Sequence, residues 1–152
     1  MSIKMLVMDV DGTLTDGRIY IGANGEVMKA FDVKDGYAIV RLREKGIEPV
    51  IITGRKSEIV QERAKELGII ELYQGVHDKL QQLKSIAEKL NCNQDEIAYI
   101  GDDENDMDCI KYCRITGCPS DAVNIVKDKA EYVCENKGGR GAVREFIDWI
   151  LQ

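Results

Sequence analysis

Residues 3–13 read Ile-Lys-Met-Leu-Val-Met-Asp-Val-Asp-Gly-Thr, and this stretch decides the fold. Its largely apolar run from Ile3 to Val10 predicts a strand that is buried on both faces of a parallel sheet. Two carboxylates, Asp9 and Asp11, stand at the end of this strand. Because residues two apart on a strand point the same way, both carboxylates are expected to face one site.

The rest of the chain alternates short apolar runs with amphipathic stretches. A hairpin is predicted over 19–31, with Asn24-Gly25 as its turn. Further strands are predicted at 49–53, 71–73, 97–100, near 115 and at 132–133. Helices are predicted at 35–45 with Asp35 as the cap, at 57–67, 78–90, after 103, around 123 and at 141–151. This alternation predicts the α/β class, with a doubly wound, Rossmann-like parallel sheet. The hairpin follows the first strand of that sheet.

Length and composition narrow the function classes. The 152 residues suit one domain spanning 1–152. The net charge is -6, and an acidic domain is a poor partner for nucleic acid. No run approaches the ~18 apolar residues of a membrane span, so no membrane partner is expected. The chain reaches Asp9 too early for a signal peptide, and its five cysteines are an odd number, so we expect a cytoplasmic protein.

Polar residues follow three of the predicted strands. Asp9 and Asp11 follow the first strand, Thr53 ends the second, and the run Gly101-Asp102-Asp103 with Asp106 follows a later one. Ligands of such sheets bind outside the carboxyl ends of the strands. These residues are therefore expected to meet in one place.

The clustered aspartates predict a cation site. Carboxylates that lie close together repel one another, and the pKa of one rises unless a cation sits between them. Oxygen ligands of this kind suit Mg²⁺, which also takes phosphate oxygens of a substrate. Capping of turns and helices is the other use of such aspartates. A calcium loop is excluded, because the positions that need glycine and glutamate hold Leu14 and Tyr20.

Two further positions suggest an anionic ligand. Thr53 offers a hydroxyl, and Gly54 lets the main chain approach a ligand closely. Lys79 opens a predicted helix, where a cation opposes the helix dipole, and this placement suggests pairing with phosphate. A turn threonine and a solvated lysine are the alternatives.

Four motifs resemble, in order and spacing, those of the phosphatases of the haloacid dehalogenase superfamily. They are Asp9-Val-Asp-Gly-Thr-Leu-Thr-Asp16, Thr53-Gly-Arg55, Lys79 and Gly101-Asp-Asp-x-x-Asp106. Further segments extend the resemblance over nearly the whole chain. They narrow it to the capless subfamily that acts on 3-deoxy-D-manno-octulosonate 8-phosphate, in lipopolysaccharide biosynthesis. Among these segments are Asp16-Gly-Arg-Ile-Tyr20, Ile51-Ile-Thr-Gly-Arg-Lys-Ser57 and Gly138-Gly-Arg-Gly-Ala-Val-Arg-Glu145.

The resemblance implies a Mg²⁺-dependent hydrolysis. Asp9 would be the nucleophile that forms an aspartyl-phosphate, and Asp11 the general acid and then the general base. Mg²⁺ would be held by Asp9, the main-chain carbonyl of Asp11, and Asp102. Thr53 and Lys79 would bind the phosphoryl oxygens.

Other residues have supporting roles in the same resemblance. Asp103 and Asp106 would orient Lys79 and the waters of the metal. Gly54 and Arg55 belong to the residues that would bind the substrate.

Two alternatives remain open. One is a phosphatase for a nine-carbon, sialic-type 9-phosphate. Arg55 is typical of the eight-carbon enzymes, whereas Asn105-Asp106 is similar to the nine-carbon relatives, and Ala38 replaces a glycine that is usual in the eight-carbon enzymes. The other is a non-catalytic oligomerisation module, similar to domains fused to cytidylyltransferases. The intact aspartate cluster favours an enzyme over such a module.

The segments between the motifs are too short for a cap domain over the site. A neighbouring subunit is therefore expected to exclude water. The resemblance implies a homotetramer whose hairpins meet at its centre. It also implies that Arg63 binds the sugar carboxylate in a neighbour's site and that the segment 138–141 closes over such a site. A hairpin packed on its own domain, and an Arg63 paired with Glu62 or Glu66, are the alternatives.

Overall fold

The computed structural model describes residues 2–152, and Met1, the first residue of the predicted domain, lies outside them. Six parallel strands form the central sheet: β1 (Met5–Met8), β4 (Glu48–Ile52), β5 (Glu71–Tyr73), β6 (Ile97–Ile100), β7 (Ile115–Cys118) and β8 (Tyr132–Val133). Their order across the sheet is β5-β4-β1-β6-β7-β8. A separate antiparallel hairpin consists of β2 (Tyr20–Gly22) and β3 (Gly25–Met28).

Helices connect the parallel strands. Within the described residues they are α1 (Val33–Val40), α2 (Glu58–Glu66), α3 (Lys79–Lys89), α4 (Met107–Tyr112), α5 (Asn124–Lys129) and α6 (Ala142–Ile150). Short 3₁₀ turns lie at Leu42–Lys45, Gln94–Glu96 and Glu104–Asp106. None of the helices in residues 2–152 has the length and apolar character needed to cross a membrane.

The sheet is covered on both faces, as the apolar first strand predicts. Leu6 and Met8 of β1 face a core formed with α1, α2 and α6. Met5 and Val7 face a second core formed with α3, α4 and α5. All four side chains are fully buried, and burial of apolar surface stabilises a fold by about 25 cal/mol per Å². The predicted α/β class with a doubly wound sheet is confirmed.

The central position of β1 locates the functional edge. β1 pairs with β4 on one side and with β6 on the other. The chain runs outward from β1 through β4 to β5 and then returns to β6, so the winding direction reverses at β1. A crevice opens at the carboxyl ends of the strands where the winding reverses. Asp9 follows β1 and lies at this point.

The start and end of α1 differ from the prediction. Asp32 caps α1, because its side chain accepts main-chain N–H groups of the first turn, and the prediction that Asp35 is the cap is wrong. The helix ends at Val40, and a 3₁₀ turn at Leu42–Lys45 follows it. Gly46 ends this turn with a φ of +76°, a conformation that glycine adopts without strain.

The hairpin leaves apolar side chains uncovered. Gly22 pairs with Gly25, so the turn is Ala23-Asn24, one residue earlier than predicted. Ile21 is 70% exposed and Val27 is 62% exposed. The hairpin therefore does not bury these side chains against its own chain.

Asp35 lies on the inward side of α1 and is only 2% exposed. Its Oδ1 accepts the main-chain N–H of Arg144 in α6 at 2.9 Å. Burial raises the pKa of Asp35 to about 6, although the N–H of Arg144 and the charge of Arg63 act in the opposite direction. The folded protein thus disfavours the charged form of this carboxyl group.

Replacing Asp35 with asparagine removes the ionisable group and keeps an oxygen for Arg144. In the wild type the pKa is about 6 in the fold and 3.8 ordinarily, so the unfolded chain loses this proton first as the pH rises. Ionisation therefore lowers the free energy of unfolding of the wild type between about pH 4 and pH 6, by on the order of 3 kcal/mol. In urea unfolding from pH 4 to pH 7, the free energy of unfolding of Asp35→Asn should rise relative to that of the wild type by this amount. Parallel stability curves would contradict the prediction.

Candidate active site

The carboxyl edge of the sheet brings together a buried lysine and two buried aspartates. Lys79 is 3% exposed, and its Nζ donates to Oδ1 of Asp9 and to Oδ1 of Asp106, both at 2.9 Å. Asp9 follows β1, Asp106 follows β6, and Lys79 is the first residue of α3. A buried charge is stable only when it is paired and hydrogen-bonded, and both conditions hold here.

The neighbouring carboxylates explain how a lysine can stand at the start of α3. Asp78 caps α3, and its side chain accepts the N–H of Gln81 at 3.0 Å. Burial by itself lowers the pKa of Lys79, but the charges of Asp9 and Asp106 outweigh it and raise the pKa above its usual value. Lys79 is therefore a fixed positive charge at neutral pH.

Asp106 has no oxygen free for a ligand. Its Oδ1 accepts Nζ of Lys79 and the hydroxyl of Tyr99, and its Oδ2 accepts the main-chain N–H groups of Asp102 and Asp103 at 2.9 and 3.1 Å. The residue is completely buried. Its position fits the predicted role of orienting Lys79.

Asp9 and Asp102 are crowded carboxylates. Burial and the charge of Asp106 raise the pKa of Asp9 to about 6. Burial, together with a hydrogen bond to Asp9 and the charge of Asp9, raises the pKa of Asp102 to about 9. Carboxylates that lie this close repel one another unless a cation lies between them.

This cluster fits a hard divalent cation. One carboxylate oxygen from each of Asp9, Asp102 and Asp106 lies within 4.8 Å of the others. Because Asp106 is saturated, Asp9 and Asp102 are the residues with oxygens available to a metal. Carboxylate ligands in a partly open site suit Mg²⁺, which keeps several waters and takes phosphate oxygens.

The loop after β1 packs directly against Asp102. A Cβ atom on Gly12 would lie 1.9 Å from Oδ2 of Asp102, so only glycine fits at this position. Gly12 also has a φ of +92°. The hydroxyl of Thr13 donates to Oδ1 of Asp102 at 3.3 Å. The main chain that follows Asp11 is thereby held beside the carboxylate cluster.

Asp11 itself points towards the hairpin rather than towards Lys79. Nζ of Lys29, a side chain with no exposed surface, donates to Oδ1 of Asp11 at 2.6 Å and lies 3.0 Å from Glu26. Arg55 approaches Oδ2 of Asp11 at 3.9 Å and Glu26 at 3.5 Å. Glu26 accepts the hydroxyl of Ser57. Asp11 is therefore held by two cations at the border between the hairpin and the sheet.

Lys29, Glu26 and Tyr99 belong to the site although no sequence motif singled out a role for them. Tyr99 carried a usable signal, because a tyrosine in an otherwise apolar buried strand needs a partner for its hydroxyl. Lys29 and Glu26 lie on a hairpin with exposed apolar neighbours, and nothing local distinguishes them from solvated charges.

Thr53, Gly54 and Arg55 follow β4 at the same edge, as predicted. Thr53 is 2% exposed, and its main-chain groups bond to Tyr73 and Val76. Arg55 is about half exposed, with 46% of its side-chain surface accessible.

Two predicted residues lie outside this cluster. The side chain of Asp103 is exposed and accepts the N–H of Glu104, so it contacts Asp106 through its main chain and not Lys79. Arg63 pairs with Glu66 on α2, which is one of the alternatives stated above. Its guanidinium also lies over the ring of Phe31. Within one chain, Arg63 is thus not part of the carboxylate site.

Comparison with known proteins assigns the family. The model of the haloacid dehalogenase-like hydrolases matches residues 64–147. The 3-deoxy-D-manno-octulosonate 8-phosphate phosphatase of Yersinia pestis is 45% identical over 150 residues, which are 99% of this chain and 80% of that protein. The chain belongs to the haloacid dehalogenase-like hydrolases.

Solved structures of such phosphatases share the fold of this hydrolase. The crystal structure of the Yersinia pestis enzyme matches with a TM-score of 0.95, and the match covers 80% of that chain. The enzyme of Moraxella catarrhalis, in complex with a magnesium ion, a phosphate ion and KDO, has a TM-score of 0.94 at 40% identity, over 98% of this chain and 86% of that one. The cobalt-bound enzyme of Haemophilus influenzae has a TM-score of 0.96 at 36% identity, over 99% and 88%. As in the prediction, residues 2–152 contain no separate cap domain.

The substitution Asp102→Asn tests the metal site without an activity assay. Mg²⁺ at ten times its dissociation constant should stabilise the wild type by about 1.4 kcal/mol. This corresponds to a rise in Tm of about 3–6 °C. Asp102→Asn should lose the rise, and without Mg²⁺ it should be about as stable as the wild type, because the asparagine amide, like the protonated carboxyl group, can donate a hydrogen bond to Asp9.

Thermal unfolding with and without Mg²⁺ makes this measurement. Asp108→Asn is the matched control, since Asp108 is exposed on α4 and should keep the rise in Tm. An equal Mg²⁺ effect in Asp102→Asn and the wild type would exclude Asp102 as a ligand.

Proposed function

We propose that this hydrolase is a Mg²⁺-dependent phosphatase that converts 3-deoxy-D-manno-octulosonate 8-phosphate into the free sugar acid and phosphate. The observation that carries the proposal is the arrangement around Asp9. A buried Lys79 binds one of its oxygens at 2.9 Å, and a carboxylate oxygen of Asp102 lies within 4.8 Å of an oxygen of Asp9. The identity of 45% with the Yersinia pestis enzyme supports the substrate class. We further infer that residues 1–152 act as a single phosphatase domain.

In the first step, an oxygen of Asp9 attacks phosphorus and the bond from phosphorus to the sugar oxygen breaks. Asp11 gives its proton to that leaving oxygen, and the product is the free sugar acid with phosphate attached to Asp9. Bound Mg²⁺ supplies positive charge that offsets the charge on the phosphoryl oxygens. Lys79 supplies a second, permanent positive charge at the same place.

In the second step, water attacks the phosphorus and Asp11 takes a proton from it. The bond between phosphorus and Asp9 breaks, which releases phosphate and restores the carboxylate. Dividing the reaction in this way replaces one slow step by two faster steps. Lys29 supports the second step, because its bond to Asp11 holds the carboxylate that takes the proton from water.

The presence of Arg55, a residue typical of the eight-carbon enzymes, favours the eight-carbon substrate. Arg55 faces Asp11 and Glu26 at the entrance to the site, where the sugar would lie. A guanidinium can bind hydroxyl and carboxylate oxygens of a sugar acid there. The loop at Asn105-Asp106 is similar to that of the nine-carbon relatives. A nine-carbon 9-phosphate is therefore the substrate to compare.

We infer that the working form is a homotetramer in the cytoplasm. The exposed apolar residues of the hairpin, such as Ile21 and Val27, support a subunit contact. Arg63 is the residue that would complete a neighbour's site, whereas the glycines at 138–139, which the resemblance places over such a site, pack against residues 12–16 of their own chain. The five cysteines are all free thiols, which fits a reducing compartment.

Phosphate release in the presence of Mg²⁺ tests the function. The wild type should prefer 3-deoxy-D-manno-octulosonate 8-phosphate over a nine-carbon 9-phosphate by at least tenfold in kcat/KM, which is about 1.4 kcal/mol. Asp9→Asn should lower kcat by at least about 10³-fold, because the nucleophile is lost while the shape is kept.

Asp108→Asn should retain wild-type turnover and serves as the control. A preference for the nine-carbon ester would replace the substrate and keep the chemistry. Absence of hydrolysis with any sugar phosphate would favour the non-catalytic oligomerisation module instead.

The hairpin contact is tested by the double substitution Ile21→Asp and Val27→Asp. Charges at these positions should dissociate the oligomer, since they would be buried in the contact. We expect monomers in size-exclusion chromatography with light scattering, and a fall in kcat/KM of about tenfold or more through KM. Ile125→Asp, at a 50% exposed position of α5, should change neither property. A fully active monomeric wild type would contradict the subunit contact.

A further inference from the structure

Asp35 caps a helix to which it does not belong. The helix α6 begins after Gly141, which has a φ of +100° and no side chain to cap it. The N–H of Arg144, in the first turn of α6, instead donates to Oδ1 of Asp35 on α1 at 2.9 Å. The two residues are 109 positions apart in the chain.

The glycines before α6 pack against the loop that carries Asp11. The N–H of Gly139 donates to the carbonyl oxygen of Thr13 at 3.1 Å. A Cβ atom on Gly138 would lie 1.9 Å from the carbonyl oxygen of Gly12, and one on Gly139 would lie 2.5 Å from the nitrogen of Asp16. The main chain at 138–139 is therefore in direct contact with the main chain at 12–16.

Asp102 closes the opposite side of the same loop. Gly12 lies against Oδ2 of Asp102, and Thr13 donates to Oδ1. The loop is thus confined between the carboxylate cluster and the glycines that precede α6. Since packed main chains transmit small displacements, a shift of the start of α6 would move Asp11.

Stability by itself does not explain the carboxylate of Asp35. It is almost fully buried, and within residues 2–152 its Oδ2 makes no hydrogen bond. A buried polar group of this kind costs folding free energy.

We propose that Asp35 is a positioning residue for Asp11. By capping α6 it holds the glycines at 138–139 against the loop that carries Asp11, and this contact fixes the position of Asp11. This inference rests on the phosphatase activity proposed above. It adds a residue that lies outside the substrate and metal sites and acts through the main chain of α6.

The test compares Asp35→Ala with Asp35→Asn. Asp35→Ala removes the cap and should lower kcat about tenfold, with a smaller change in KM. It should also speed hydrogen exchange of the Gly139 amide by about tenfold or more, because the bond to Thr13 then opens more often. Asp35→Asn keeps an oxygen acceptor for Arg144 and should restore both kcat and exchange to within about threefold of the wild type.

Asp32→Ala is the matched control. Asp32 caps α1 three residues earlier, with bonds of 2.7 and 3.3 Å to main-chain N–H groups. Its loss should lower Tm by about 2–4 °C. It should leave kcat and the exchange of Gly139 unchanged.

Three results would overturn the proposal. They are wild-type kcat in Asp35→Ala, an equal loss in Asp32→Ala, and a loss of kcat without faster exchange at Gly139. The exchange measurement needs no substrate, so it separates this inference from the proposed function. If the wild type hydrolysed no phosphate ester but Asp35→Ala still released Gly139, the function would fail while the link from Asp35 to the loop would stand.

Discussion

The pairing of Lys79 with Asp9 and Asp106 is the constraint on which the site depends. An ammonium group cannot remain charged in a dry interior without partners, and both partners lie at 2.9 Å. Each partner comes from a different strand end, so the three charges meet only when β1, β6 and the start of α3 are assembled in one sheet edge. The same contacts hold one oxygen of Asp9 against the ammonium group of Lys79. Asp102 lies close to the same carboxylate. The fold and the chemistry are thus joined by one set of ion pairs.

The carboxylates exceed the cations within this cluster, and the excess has a physical consequence. Lys79 offsets one negative charge, whereas Asp9, Asp102 and Asp106 lie within 4.8 Å of one another. Burial is the largest cause of the raised pKa values of Asp9 and Asp102, and the neighbouring carboxylates raise them further. A divalent cation is the natural counter-charge, and the substrate's phosphate is the anion that such a cation and Lys79 would attract. Asp106 contributes differently, because its four hydrogen bonds leave it as a structural anchor for Lys79 and for the turn after β6.

The loop between Asp11 and Asp16 is confined by parts of the chain that are distant in sequence. Asp102 meets it on one side, and the glycines at 138–139 meet it on the other. Lys29 reaches Asp11 from the end of the hairpin, and the two faces of the hairpin therefore differ in what they contact. Lys29 holds Asp11 on one face, and the other face presents apolar side chains such as Ile21 and Val27 to solvent in the single chain.

Local patterns in the sequence determined the elements, the α/β class and the placement of Asp9, Asp102 and Lys79. An apolar run followed by aspartates needs no distant information, because parallel strands place their carboxyl ends at one edge. The tertiary structure alone decided which helix Asp35 serves, that Asp32 caps α1, and that Lys29 holds Asp11. The reason is physical: a carboxylate caps whichever N–H groups packing brings to it, and for Asp35 those lie 109 positions away. Patterns of neighbouring residues record burial and turns, whereas contacts between separate elements arise only when their surfaces are packed together.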